Sequence, residues 1–219
     1  MRPPDNWKKA PLTAGLALAT IVAWLVAVML GQEERAADLF GFLPGGGISV
    51  SPVPVWLQPL TATLVHANFA HLLFNMIVLV FCGRPVENVL GTFSLAILYL
   101  LGAYAAAGAQ YLVELYVVGD PVPMIGASGA ISALLGAYAM LFGRNKVKVS
   151  NPELALWLNA LWLMATWVVL QICIGIVLSG ADFLTGGKGV TIAVGAHIGG
   201  FLVGLVLARP LLLFKYRKA

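Results

Sequence analysis

Charge is what this sequence has least of. Only 10% of its 219 residues are Asp, Glu, Lys or Arg, while 60% are hydrophobic and the mean hydropathy is +0.92. Soluble domains carry about 25% charged residues, so a water-soluble globule is excluded before any segment is located. Cysteine is scarce as well. Cys82 and Cys173 both fall in apolar runs, where a thiol acts as a small hydrophobe and two of them make no disulfide framework. No internal repeat is found, so the inverted-repeat signature of many transporters is missing. HExxH is absent, and no carboxylate lies within any long apolar run. Both absences argue against zinc hydrolysis and against a carboxylate proton relay. The net charge of +4 comes from residues in short loops and tails. That distribution suits membrane orientation, not nucleic acid binding.

What is present is apolar length. A helix needs about 20 mostly apolar residues to cross a hydrocarbon core of roughly 30 Å. Six stretches qualify: Leu12–Leu30, about Leu60–Gly83, Thr92–Leu112, Ile125–Phe142, Leu154–Leu178 and Val190–Leu207. None contains Asp, Glu, Lys or Arg. The fourth and sixth, at 18 residues each, are near the short limit and are expected to sit recessed in the bilayer or to thin it.

Basic residues give the direction. Arg2, Lys8, Lys9, Arg84, Arg144, Lys146, Lys148, Arg209, Lys215, Arg217 and Lys218 share one side if the N-terminus is cytoplasmic, and only Arg35 and Lys188 oppose them. The positive-inside rule then predicts six spans with both ends in the cytoplasm. Glu33, Glu34, Asp38, Glu114, Asp120 and Asp182 lie opposite. Lys8 and Lys9 precede a spanning run with no convincing cleavage site, so an anchor is expected there rather than a removable leader. Residues 1–219 are read as one membrane domain that must carry the function itself. The connection from Gly31 to Pro59 carries "FGFLPGGGISVSPVPVW". It is too broken by Gly and Pro for a continuous membrane helix, and is predicted to lie partly in the interface with Phe40, Phe42 and Trp56 as anchors.

Polar groups able to do chemistry occur in three places. The second span holds His66, His71 and Asn75 in "VHANFAHLLFNM", the fourth holds Ser128 in "GASG", and the sixth holds His197 in "VGAHIGGFLVG". Each is bland alone. A serine among small residues packs helices, an asparagine glues them, and one histidine can bridge them. However, all three clusters fall in the first half of an even-numbered span. With the N-terminus inside, that puts them at similar depth in the outer half of the membrane.

His71 and Asn75, four residues apart, share a helix face. His66 points about 140° away from them if the helix already includes it. Ser128 is predicted in the first turn of its helix, where free N–H groups favour an anion. Gly126 and Gly129 clear space beside it, as Gly195, Gly199, Gly200 and Gly204 do around His197. A hydroxyl, an imidazole base and neutral oxyanion donors are the parts of an acyl-transfer site. No span offers a carboxylate to make a triad, and Glu87 lies at the wrong depth. Ser128 would therefore act in a dyad with His197. "GASGA" also brushes the G-x-S-x-G elbow, but that motif needs a preceding strand.

A six-span chain with "HANFAHLLFN", "GASG" and "AHIGG" in alternate helices resembles a rhomboid intramembrane serine protease. The resemblance implies an all-α six-helix bundle without metal or cofactor. It implies that Ser128 attacks a peptide carbonyl while His197 serves as base and then as acid. His71, Asn75 and the Ser128 N–H would hold the oxyanion, and His66 would support the structure around the first external loop. In "GRPVENVLG", Gly83, Glu87 and Gly91 match a structural helix end and turn of the family. Substrates would be transmembrane segments of other proteins, entering sideways from membrane lipid, in a prokaryotic cytoplasmic membrane. The fifth helix with "SGADFLTGGKG" would be the gate, and the catalytic cavity would open to the outside.

Two departures stand out. Many relatives carry Trp-Arg in the first loop, whereas Trp56 is followed by Leu57. Some carry an aromatic four residues after the nucleophile, packed on the catalytic histidine, where this chain has Ser132. Rhomboid-like proteins lacking the dyad bind membrane clients without cutting them. This chain retains Ser128 and His197.

Overall fold

A computed structural model describes residues 4–43, 51–116, 123–143, 149–184 and 193–217. Among the described residues the chain is helical, with one isolated antiparallel bridge, Phe42 to Met124, and no strand. Helix α1 spans Pro11–Leu30, α2 Glu33–Phe40 and α3 Gln58–Thr61. Helix α4 spans Phe69–Val78 and continues through a π-helical turn, Leu79–Gly83, into α5, Arg84–Leu90. Then follow α6 Thr92–Glu114, α7 Ser128–Phe142, α8 Pro152–Leu184 and α9 Val194–Tyr216.

Among the described residues, five helical stretches are long and apolar enough to cross a membrane: Pro11–Leu30, Phe69–Leu90, Thr92–Glu114, Pro152–Cys173 and Val194–Tyr216. Helix α7 is apolar but has 15 residues, about 22 Å at 1.5 Å per residue. It begins at Ser128 and not at Ile125, so the fourth predicted span is shorter than expected and is not one of the five.

The second span differs most from expectation. It begins at Phe69, not near Leu60, because the Asn68 side chain accepts the His71 backbone N–H and caps the helix there. The chain before it, Ala62–Leu64, is a single 3₁₀ turn. The span also continues past Gly83 to Leu90, since Pro85 sits in the first turn of α5, where a missing N–H costs least. The sixth span likewise continues through Pro210 to Tyr216.

Helix α7 occupies the centre, packed between α9 and α6 with the π turn alongside. Every residue from Ser128 to Ala137 is buried. Small residues make that possible. Added Cβ atoms at Gly200 and Gly204 would strike the carbonyl oxygens of Gly129 and Ala133 on α7, and one at Gly136 would strike that of Phe201 on α9. On the other flank of α9, Gly195 and Gly199 meet the carbonyls of Ala109 and Ala105 on α6. Two flanks of α9 thus admit two helices at backbone contact, the close packing that membrane bundles use in place of hydrophobic collapse. Helices α1 and α8 lie outside, with Leu18, Val22, Leu25, Trp162 and Val169 exposed.

At the start of α1, Glu87 takes the role a capping residue would have. Ala10 at the N-cap has no side-chain acceptor. Instead Glu87 Oε1 accepts from Leu12 N–H at 2.9 Å and Thr92 Oγ1 at 2.9 Å, while Oε2 accepts from Thr13 N–H at 2.8 Å and Thr13 Oγ1 at 2.6 Å. A buried carboxylate at a helix N-terminus satisfies orphan donors and faces the positive end of the dipole. Gly83 lets Thr13 come close, and Gly91, at φ 86, turns the chain into α6. Glu87→Ala strands four donors in the interior. It is expected to cost about 3 kcal/mol or more, read as a lower unfolding midpoint in detergent micelles; an unchanged midpoint would contradict this account.

Among the described residues, Gln58, Thr61 and Tyr104 hold the first loop. Gln58 is buried, donates from Nε2 to the Val53 carbonyl at 3.1 Å and accepts from Leu43 N–H at 3.4 Å. Tyr104 Oη donates to the Trp56 carbonyl at 2.7 Å, and Thr61 Oγ1 to that of Phe40 at 2.7 Å. Of the three predicted anchors, Phe40 and Trp56 are exposed, while Phe42 is half-buried and bridges Met124.

Candidate active site

Ser128 is the first residue of α7. The segment before it is pinned at three points. Met124 pairs with Phe42, Gly126 N–H donates to the Ala62 carbonyl at 2.9 Å, and Ala127 N–H donates to His66 Nε2 at 3.5 Å. Gly126 has φ 105, a conformation only glycine adopts readily. A Cβ there would also lie 2.7 Å from the His71 ring. The chain therefore reaches Ser128 through a turn whose missing side chain is replaced by His71. In that first turn the N–H groups of Ser128, Gly129 and Ala130 have no intrahelical acceptor.

His197 sits in the first turn of α9. Its Nε2 lies 2.9 Å from Ser128 Oγ, with Ser128 8% and His197 3% exposed. With the ring proton on Nδ1, Nε2 accepts from the serine hydroxyl, which is the arrangement that activates a nucleophile. Two residues 69 positions apart are brought together because Gly200 lets α9 lie on the backbone of α7 one turn below them.

The other predicted residues divide. His71 reaches the turn before Ser128 across Gly126. Asn75 is buried and donates from Nδ2 to the His71 carbonyl at 2.8 Å, so the two share a helix face as expected. The second Nδ2 hydrogen remains available. His66 is not on that helix, contrary to the sequence expectation, because Asn68 caps the helix after it. It stacks edge-on against His71, with centroids 4.9 Å apart, and accepts from the N–H just before Ser128. Gly129 faces Ala106 of α6, so the space beside it takes a helix. Among the described residues no three His, Cys, Asp or Glu side chains gather as a metal-binding group. Of the predicted gate loop, residues 179–184 belong to α8 and not to a loop, and residues 185–189 lie outside the described residues.

One neighbour of the pair was missed. Trp167 of α8 lies edge-on to the His197 ring, with centroids 6.1 Å apart at 65°. Its Nε1–H donates to Ser132 Oγ at 2.9 Å, and Ser132 Oγ donates to the Ser128 carbonyl at 2.7 Å. The small residue at position 132 was the available signal, since it leaves room that another ring must fill.

The chain is 29% identical over 201 residues to the rhomboid protease GlpG of Pectobacterium atrosepticum, and 27% identical over 201 residues to that of Serratia proteamaculans. Each alignment covers 92% of this chain and 63% of the relative, so the chain spans less than two thirds of those proteins. It is 29% identical over 155 residues to the rhomboid protease GluP of Bacillus subtilis, covering 71% of this chain and 27% of that one. The family model described as the Rhomboid domain matches residues 54–214, a stretch that includes every histidine and Ser128, and this integral membrane chain therefore belongs to the rhomboid family.

Proposed function

We propose that the protein is an intramembrane serine endopeptidase that cuts transmembrane segments of other proteins with a Ser128–His197 dyad. The observation that carries this reading is the 2.9 Å contact between Ser128 Oγ and His197 Nε2 across two helices. The relatives named as rhomboid proteases support it.

The chemistry follows from the atoms present. Ser128 Oγ attacks the scissile carbonyl carbon as its proton passes to His197 Nε2. The oxyanion is received by the free N–H groups at the start of α7, with His71 and Asn75 as side-chain donors. Collapse of the adduct expels the amine, which takes the proton from His197. Water deprotonated by the same nitrogen then hydrolyses the acyl ester and restores the serine. No carboxylate is needed to hold the histidine, and an unpaired one would be costly at this depth. His66 acts on the turn before Ser128, not on substrate. No cofactor or metal takes part.

Residues 1–219 form one membrane domain in this reading, with α7 as the sixth, recessed span. Both termini face the cytoplasm, as the basic residues divide, and the membrane is the cytoplasmic membrane of a prokaryote. A peptide bond inside an intact helix is shielded, so favoured substrates carry small or helix-breaking residues near the cut. They reach the site from lipid, past α8 and the loop after it.

The test uses the protein in detergent micelles. A fluorophosphonate is expected to form one adduct, mapped by mass spectrometry to Ser128, and a panel of single-span substrates is expected to yield cut products. A folded protein that takes no label and cuts nothing would point instead to a rhomboid-like client binder.

A further inference from the structure

We infer that Trp167 is a positioning residue for His197, taking from α8 the place of an aromatic that α7 lacks. The inference rests on the dyad reading above and names what holds its base.

His197 needs such a support. Its Nε2 is committed to Ser128 Oγ, while Nδ1 is buried with no hydrogen-bond partner among the described residues. A ring held at a single nitrogen can still tilt and swing about that contact. In a triad a carboxylate on the second nitrogen stops this, and here the acidic residue nearest in chain order to α4, Glu87, is occupied at the N-terminus of α1. The remaining restraint is packing, and the ring against His197 is the indole of Trp167.

The indole is itself firmly placed. Trp167 is 5% exposed, and its one polar atom is bonded to Ser132, which is fully buried. Ser132 passes that bond on to the carbonyl of Ser128. The nucleophile is thus tied twice to the base. Its hydroxyl meets Nε2 directly, and its backbone carbonyl sets, through Ser132, the indole that borders the ring.

Position 132 lies one turn after Ser128, on the face of α7 turned toward the indole. A large side chain there would occupy the volume Trp167 now fills. Serine at 132 and tryptophan at 167 are therefore a matched pair, a small residue with an acceptor opposite a large one with a donor. The rest of α8 agrees. Its other buried side chains among the described residues are Ala155 and Ala160, whereas Trp157 and Trp162 are exposed. Among the described residues of α8, Trp167 is the largest buried side chain, with Leu163 and Met164 packed half-buried against the same core.

The test is fluorophosphonate inactivation of the full chain in micelles, resolved into a maximal rate and a half-saturating concentration, beside the thermal midpoint. Trp167→Ala is expected to lower the maximal rate about 10- to 100-fold, the range expected for a misplaced catalytic group. The half-saturating concentration should hardly move. Trp167→Phe should retain most of the rate, because it keeps a ring edge on the imidazole. Ser132→Phe in the Trp167→Ala background should recover part of the loss by supplying the ring from α7. A separate readout needs no turnover: in histidine-labelled protein, the His197 ring resonance should shift in Trp167→Ala and stay closer to wild type in Trp167→Phe.

A wild-type maximal rate in Trp167→Ala would overturn the proposal. So would a lower midpoint with both the rate and the His197 resonance unchanged, since that describes a packing residue alone. If the wild type itself takes no label, the dyad reading fails. The resonance then decides the placement of the ring independently.

Discussion

Ser128→Ala and His197→Ala are each expected to lower cleavage of a single-span substrate by at least about 10³-fold. The double variant should be no slower than either single one. Residues acting as one unit show this lack of additivity, because the hydroxyl without its base and the base without its hydroxyl are equally idle. Neither change should disturb the fold much. Ser128 Oγ bonds to His197, whereas the backbone that positions the turn is held by Ala62, Phe42 and His66. Unfolding midpoints within a few degrees of wild type should accompany the loss. Turnover by Ser128→Ala near the wild-type rate would end the hydrolase reading, and strictly multiplicative losses would show that the two residues act separately.

The second large effect concerns stability and separates two kinds of glycine. Gly204→Val places a branched side chain where even a Cβ meets the carbonyl oxygen of Ala133 and comes within 2.7 Å of the Ala137 nitrogen. Backbone cannot rotate aside, so α7 and α9 must part. Overpacking of this kind costs typically 1–3 kcal/mol, and about the upper end or beyond is expected here. Ser128 and His197 stand on these two helices, so labelling should fail together with folding. Gly15 and Gly108 provide the contrast, with no heavy atom within 4 Å of an added Cβ. Gly108→Ala should be neutral or stabilising by up to about 1 kcal/mol, the helix-propensity difference. Midpoints of thermal or denaturant unfolding in micelles measure both. Equal effects at positions 108 and 204 would refute the packing account of the α7–α9 contact.

Much of the site was legible because it is made of rare residue types. Three histidines and one serine flanked by glycines stand out in a chain with few polar groups in its apolar runs, and topology alone put them at a common depth. Ser128 in the first turn of its helix followed from local sequence, as did the shared face of His71 and Asn75. His66 was misplaced because an apolar run reads as helix until a cap interrupts it. Asn68 acts as that cap only once its side chain is seen to accept the His71 N–H. Ser132 signalled a place for some other ring, but Trp167 as the ring that fills it was not legible. It is one of 6 tryptophans, and nothing in its own neighbourhood separates a ring facing lipid from one facing a histidine on another helix.

The sequence by itself determined that this is a membrane chain and which side chains can do chemistry. Those properties depend on composition, length and residue type, all of which are local. Tertiary structure alone decided what borders His197, that His66 stands before the helix that carries His71, and that Glu87 caps a helix more than seventy residues before it in the chain. The first and last are pairings between distant segments. Small residues on α6, α7 and α9 permit the close approach, but only the packed bundle specifies which atoms are brought within reach.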